Sequence, residues 1–191
     1  HLHRFLETLG IGRAFFVGNS AGGGLILRSA VRHPAPLQIL KMVTICGNAS
    51  VFKTTSQSDL ENYTPSLDNM KKIVALLYHD RKWQTEDNIR ERYECSIIPG
   101  AWEALSAARL RSPVHTIRST TEEFTEQLGK LAIPLLIMSC DHDPLNQRDW
   151  DVNFQKIVPG SKVHRFRHSA HEPQIEETEE FNRVLLEFLS A

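Results

Sequence analysis

The chain has 191 residues, 41% of them hydrophobic, and its 22 basic and 23 acidic side chains leave a formal net charge of −1. That balance describes a globular protein with neither a nucleic-acid footprint nor an acidic tail, and no apolar run approaches the roughly 20 residues that span a bilayer. Three cysteines (Cys46, Cys95 and Cys140) without C-x-x-C spacing point to a reduced, cytoplasmic setting rather than a disulfide framework.

The opening "HLHRFLETLGIGR" sets Leu2, Phe5, Leu6 and Leu9 at helical spacing, ended by Gly10 and Gly12. It has neither the long apolar core nor the small-residue cleavage site of a signal peptide. "RAFFV" (13–17) then reads as a short buried strand, and "LILRSAVRHP" (25–34) as a helix stopped by Pro34. Between them lies "VGNSAGGG". Glycines at the head of a helix each cost roughly 1 kcal/mol against alanine, so something other than helix stability favours them. Gly18, Ser20 and Gly22 form G-x-S-x-G between a strand and a helix, the context of a nucleophile elbow. There the serine stands on a tight, strained turn, and strand and helix are expected to approach closely at positions 18 and 22. The backbone N–H of Ala21 opens the helix and is free to meet an oxyanion. A phosphate loop fits poorly, because no G-x-x-x-x-G-K-[ST] is present.

A second apolar strand (37–46) leads into "GNAS", and strand, helix, strand makes a parallel unit with a right-handed crossover. From 51 to 122 the chain turns polar and helical in period, punctuated by Pro65 and Pro99. This predicts a helical cap inserted into a core made of 1–50 and 123–191. The sheet rhythm resumes at 131–140, followed by a helix (147–157) and a strand (162–168). The last helix carries Phe181, Val184, Leu185, Phe188 and Leu189 on one apolar face. The expectation is an α/β protein with a mostly parallel sheet, whose ligands bind at the carboxyl ends of the strands, where Ser20 falls.

A serine nucleophile needs a base, and the base an orienting carboxylate, in the chain order serine, acid, histidine for such a sheet. His171 in "HSAHEPQ" follows the last strand, with His168 at the strand's end as its rival. His33, His79 and His115 fall at helix ends or in the cap, and His164 within a strand. "CDHDPLN" offers Asp141 and Asp143, while "CGNAS" after the earlier strand has no carboxylate. The nine histidines form no H-E-x-x-H or comparable cluster, so neither a metal nor a cofactor is expected.

"VGNSAGGG", "IPLLIMSCDHDPL" and "HSAHEPQIEETEEFNRVLLEFL" together resemble the α/β-hydrolase superfamily across nearly the whole chain. The superfamily's acid closes a G-x-x-D frame; Cys140 stands at the glycine, so the resemblance implies Asp143 rather than Asp141, 28 positions before His171. Asn19 and "LLYHDRKWQTEDNIRERYECSIIPGAWEAL" look like the meta-cleavage product hydrolases, carbon–carbon bond hydrolases of aromatic degradation that act on 2-hydroxy-6-oxo-hexa-2,4-dienoates. This resemblance implies a cofactor-free serine hydrolase with a small-molecule substrate. Its triad would be Ser20, Asp143 and His171 in a hydrogen-bonded line, with Ala21 N–H in the oxyanion hole and Asn19 and Arg92 contacting substrate. Arginine suits a substrate carboxylate because its planar fork pairs bidentately; the other reading of Arg92 is a solvated side chain beside Glu91 and Glu94. A carboxylesterase or lactonase on the same triad, or a non-catalytic ligand-binding member of the fold, are the alternatives. Two positions depart from the family: Glu172 follows His171 where tryptophan is usual, and Gln147 replaces a common proline. The fold normally also begins with several strands before the elbow, and a loop among them supplies a second oxyanion N–H. Their absence before His1 suggests an excerpt of a longer chain, or a second chain, as in a homo-oligomer, covering the edge of "AFFV".

Overall fold

The computed structural model describes residues 2–32, 37–49, 51–52, 54, 56, 60, 62–107 and 121–191. Four short runs become strands: β1 (Arg13–Asn19), β2 (Gln38–Ile45), β3 (Leu135–Cys140) and β4 (Lys162–Phe166). They pair in chain order and every pairing is parallel. The helices are α1 (Leu2–Thr8), α2 (Ala21–Arg32), α3 (Leu67–Leu77), α4 (Glu86–Ser96), α5 (Ala101–Ala107), α6 (Thr121–Gly129), α7 (Trp150–Ile157), α8 (Pro173–Glu176) and α9 (Thr178–Ser190). The proline stop at Pro34, and His33 and His115, lie outside the described residues.

Every side chain of β3 is buried, as expected for a parallel strand covered on both faces. Phe16, Met42, Leu135 and Ile137 pack on one face with Leu27 of α2, Leu128 of α6 and Phe154 of α7. On the other face Val43, Ile45, Leu136, Met138 and Phe166 meet Phe181 and Phe188, the apolar stripe of α9. The edge strand β1 leaves Phe15 and Val17 exposed on this side. A third cluster gathers Tyr63, Met70, Val74, Leu77, Tyr78 and Ile89 around α3 and α4, and reaches Leu145 beyond β3. Its two helices are started by side-chain caps: Ser66 accepts from Asn69 N and Thr85 from Asn88 N. Among the described residues, no helix is long and apolar enough to cross a membrane.

Helix α2 begins at Ala21, so the glycines form its first turn instead of preceding it. A Cβ on Gly18 would lie 2.5 Å from the backbone carbon and oxygen of Gly22, and one on Gly23 would lie 2.3 Å from Thr44 Oγ1. A Cβ on Gly22 would meet nothing within 4 Å. Strand and helix do approach closely at 18 and 22, but the positions with no room for a Cβ are 18 and 23, because Gly22 offers its own backbone to Gly18 while its missing side chain points into open space. Gly18→Ala should cost roughly 1–3 kcal/mol through overpacking against backbone that cannot yield. Gly22→Ala should leave thermal stability near or above that of the parent, since alanine is the better helix former. Melting curves of the two variants check the contrast.

Candidate active site

Strand ends converge at one edge of the sheet: Ser20 follows β1, Cys46 follows β2, Asp143 lies just beyond β3 and His171 beyond β4. A parallel sheet puts all four carboxyl ends together, which is how residues far apart in sequence meet. The turns there are strained. Ser20, Cys46 and Ala49 all hold left-handed backbone, with φ of 53°, 50° and 54°, an arrangement that costs non-glycine residues free energy and clusters at functional sites. Ser20 is held from both sides by main chain, its N–H donating to Ile45 O at 2.7 Å and its carbonyl accepting from Gly24 N at 3.1 Å. Ala21 is the first residue of α2, so its N–H has no intrahelical acceptor.

Asp143 and His171 are both buried and meet at 2.9 Å through Oδ2 and Nδ1. An ionised carboxylate can only accept, so Nδ1 carries a proton, and in a neutral imidazole that leaves the lone pair on Nε2. Nε2 is buried with no hydrogen-bond partner, and among the described residues no hydrogen bond links it to Ser20. The line therefore has its acid–base half in place, while the serine link is open; such bonds are often loose without substrate. Asn19, next to Ser20, donates from Nδ2 to the His171 carbonyl at 3.2 Å and to Ile45 O at 3.3 Å, so its amide ties the elbow to the histidine loop. Asp141 is exposed and lies 3.8 Å from Arg165. His168 is exposed, His164 pairs with Glu180 at 2.9 Å, and His79 stacks on His142 with ring centres 3.6 Å apart.

Arg92 does not pair outward with Glu91 or Glu94. Its Nη2 donates to Glu172 Oε2 at 3.3 Å and to the Tyr78 hydroxyl, and its Nε to Asn88 Oδ1 at 3.2 Å. Tyr78 in turn donates to Glu172 Oε2 at 2.7 Å. Burial first, and then the Glu172 acceptor, push the Tyr78 phenol up to about 12, so it stays protonated. Arg92 also lines a cavity of about 610 Å³, together with Tyr63, Met70, Ile73, Asn88 and Trp102. Ser20, Asp143 and His171 are not among its lining residues.

Several supports escape a reading of the sequence. Asn146 donates to Asp143 Oδ2 at 2.6 Å and to Cys46 O at 3.0 Å, and itself accepts from Asn48 at 2.6 Å. Glu176 accepts from Ala170 N at 2.7 Å and from His79 N and Asp80 N at 2.8 Å, and His171 N donates to Leu77 O at 3.0 Å, so the histidine loop is pinned to the end of α3. Only the placement of both asparagines in loops after strands hinted at a role. Cys46 Sγ, an Asp143 oxygen and a His171 nitrogen lie within 4.8 Å of one another and could offer three ligands to a metal ion. Against that, a hydrogen bond with Cys140, then burial, raise the Cys46 thiol well above its usual range and keep it protonated, while Nδ1 is already committed to Asp143.

No family model matches the chain. It is 30% identical over 190 residues to a 2-hydroxymuconate semialdehyde hydrolase from Pseudomonas putida, covering 100% of this chain and 67% of that protein. A 2-hydroxy-6-oxo-2,4-heptadienoate hydrolase from P. putida is 28% identical, with 100% and 68% covered. Among solved structures, a meta-cleavage product hydrolase from Pseudomonas fluorescens superposes with a TM-score of 0.85 at 27% identity, covering 100% of this chain and 69% of that one. The chain thus spans about two thirds of the length of these relatives.

Proposed function

Because the chain belongs to the meta-cleavage product hydrolases of the α/β-hydrolase superfamily, we propose that it cleaves a carbon–carbon bond in a 2-hydroxy-6-oxo-hexa-2,4-dienoate through Ser20, Asp143 and His171. The buried Asp143–His171 pair, with an unpartnered Nε2 at the carboxyl edge of the sheet, carries this reading. Residues 51–122 act as the cap over the core, and the three free thiols fit a reduced, cytoplasmic setting. Protonation at carbon converts the dienol to a ketone, and His171 accepts or returns the protons this requires. Attack at the distal carbonyl places negative charge where Ala21 N–H can meet it, a donor worth about 3 kcal/mol of barrier. The carbon–carbon bond then breaks, and with one water consumed the products are a carboxylic acid and a 2-hydroxydienoate. Loss of the absorbance of a coloured dienoate on mixing with the protein tests the activity directly. Turnover of p-nitrophenyl esters alone would instead identify an esterase.

Arg92 is the group proposed to receive the substrate carboxylate. A charge-assisted hydrogen bond in a partly dehydrated pocket contributes about 1.5–3 kcal/mol. Arg92→Ala should therefore lower kcat/KM for a dienoate roughly tenfold to a hundredfold. Hydrolysis of a small neutral ester by the same variant should change little; equal losses on both would remove Arg92 from carboxylate recognition.

A further inference from the structure

We propose that Glu172 is a specificity-determining residue: by serving as a built-in counter-ion for Arg92, it makes the site accept a substrate with one carboxylate and reject one with two. This rests on the carbon–carbon hydrolase reading above and names its substrate class. Glu172 immediately follows His171, and its Oε2 accepts from both Tyr78 at 2.7 Å and Arg92 at 3.3 Å. The pair is sheltered, with side-chain exposures of 32% for Arg92 and 15% for Glu172, so water and salt screen it less than an exposed pair. The guanidinium also rests over the Tyr78 ring, 5.2 Å from its centre.

Arginine has five N–H donors. Nε and Nη2 are engaged, and among the described residues nothing hydrogen-bonds Nη1. One carboxylate can therefore still dock on Arg92, at a guanidinium whose charge Glu172 already balances. Arg92 is the only cation among the described residues lining the adjacent cavity, and Glu91 lines it as well. A second carboxylate in that cavity would enter beside Glu91, with the Arg92 charge already balanced by Glu172 and no further cation among the described lining residues to meet it. An uncompensated charge in such a place is penalised by both lost hydration and like-charge repulsion.

The test uses the whole chain and two 2-hydroxy-6-oxo-dienoates alike except at the distal end, one ending in methyl and one in a carboxyethyl group. The wild-type protein should favour the monoanion by about tenfold or more in kcat/KM, and Glu172→Gln should narrow that ratio about tenfold, chiefly through KM of the dianion. Equal use of both by the wild type, or an unchanged ratio in Glu172→Gln, would overturn the inference. Glutamine keeps an oxygen for Tyr78; should the variant nevertheless fail to fold, the wild-type ratio at low and high salt decides, since a charge-based preference shrinks with salt and a steric one does not. Calorimetric binding of benzoate and isophthalate gives a second arm that breaks no bond. Failure to cleave either dienoate would sink the carbon–carbon reading, whereas this arm still decides for Glu172: tighter benzoate binding that narrows in Glu172→Gln supports the inference, and equal affinities overturn it.

Discussion

Ser20→Ala should lower kcat on the dienoate by about 10⁶-fold, the loss seen when a serine triad is deprived of its nucleophile, while leaving the melting temperature near that of the parent. Both halves of this expectation come from the geometry of the elbow. Ser20 is held by its main chain, to Ile45 O at 2.7 Å and from Gly24 N at 3.1 Å, so none of these bonds needs the hydroxyl. The left-handed φ of 53° is borne equally by serine and alanine, since both have a Cβ. The variant therefore loses a reactive group and nothing that packs. Single-turnover absorbance with excess protein measures the chemical step, and circular dichroism on heating measures the fold. A variant that keeps more than a small fraction of the parent rate would remove Ser20 as nucleophile and leave it, at most, a binding role. A fluorophosphonate that labels the parent and not Ser20→Ala gives an independent check.

The order of strands and helices was legible because period and punctuation agree along most of the chain. "LLIMSC" is apolar but for Ser139 and becomes the fully buried β3, and the stripe Phe181, Val184, Leu185, Phe188 and Leu189 becomes the face of α9 against the sheet. The elbow was legible for a different reason: glycine is chosen where backbone must touch backbone, and Gly18 does touch Gly22. Which glycine faces open space depends on the helix phase relative to β2, and the spacing G-x-S-x-G does not contain that phase. The final helix starts at Thr178, and the short α8 before it, separated by Glu177, was not expected; there Glu176 and Glu177 turn back to bind the main chain of Ala170 and His168. Contacts of this kind join residues whose separation in sequence carries no period. The Glu172–Arg92 pair spans 80 positions and the Glu176–Asp80 bond 96. Glu172 was visible as a departure from its family but not as the partner of Arg92, and Asn146 was merely a polar residue near a helix until Asp143 was placed beside it.

Asp143→Asn should lower kcat by about 10⁴, as in the serine-protease template, whereas Asp141→Asn should stay within a few-fold of the parent. Three donors converge on Asp143: Leu145 N on Oδ1 at 2.9 Å, and Asn146 Nδ2 and His171 Nδ1 on Oδ2 at 2.6 and 2.9 Å. A carboxylate satisfies all of them because both its oxygens accept. An amide cannot. If its oxygen faces Leu145 N, its NH₂ faces His171, which must then accept at Nδ1 and carry its proton on Nε2, where it can no longer take one from Ser20. If the oxygen faces His171 instead, the NH₂ opposes Leu145 N and a buried donor loses its acceptor, at a cost of roughly 1–3 kcal/mol. The first arrangement opposes the Asn146 NH₂, which still donates to Cys46 O. It keeps the acceptor of the buried Leu145 N–H, however, and gives the new NH₂ an acceptor on His171 by switching the tautomer, so the loss should appear in kcat more than in stability. Asp141 has no such position. It is exposed and 3.8 Å from Arg165, a cation already held by Asp149 at 3.2 Å and Asp151 at 2.5 Å, so neutralising it leaves Arg165 paired. Steady-state kinetics on the coloured dienoate, with both variants melted in parallel, decides the matter; the opposite ranking would move the acid of the triad to Asp141 and detach the Asp143–His171 pair from catalysis.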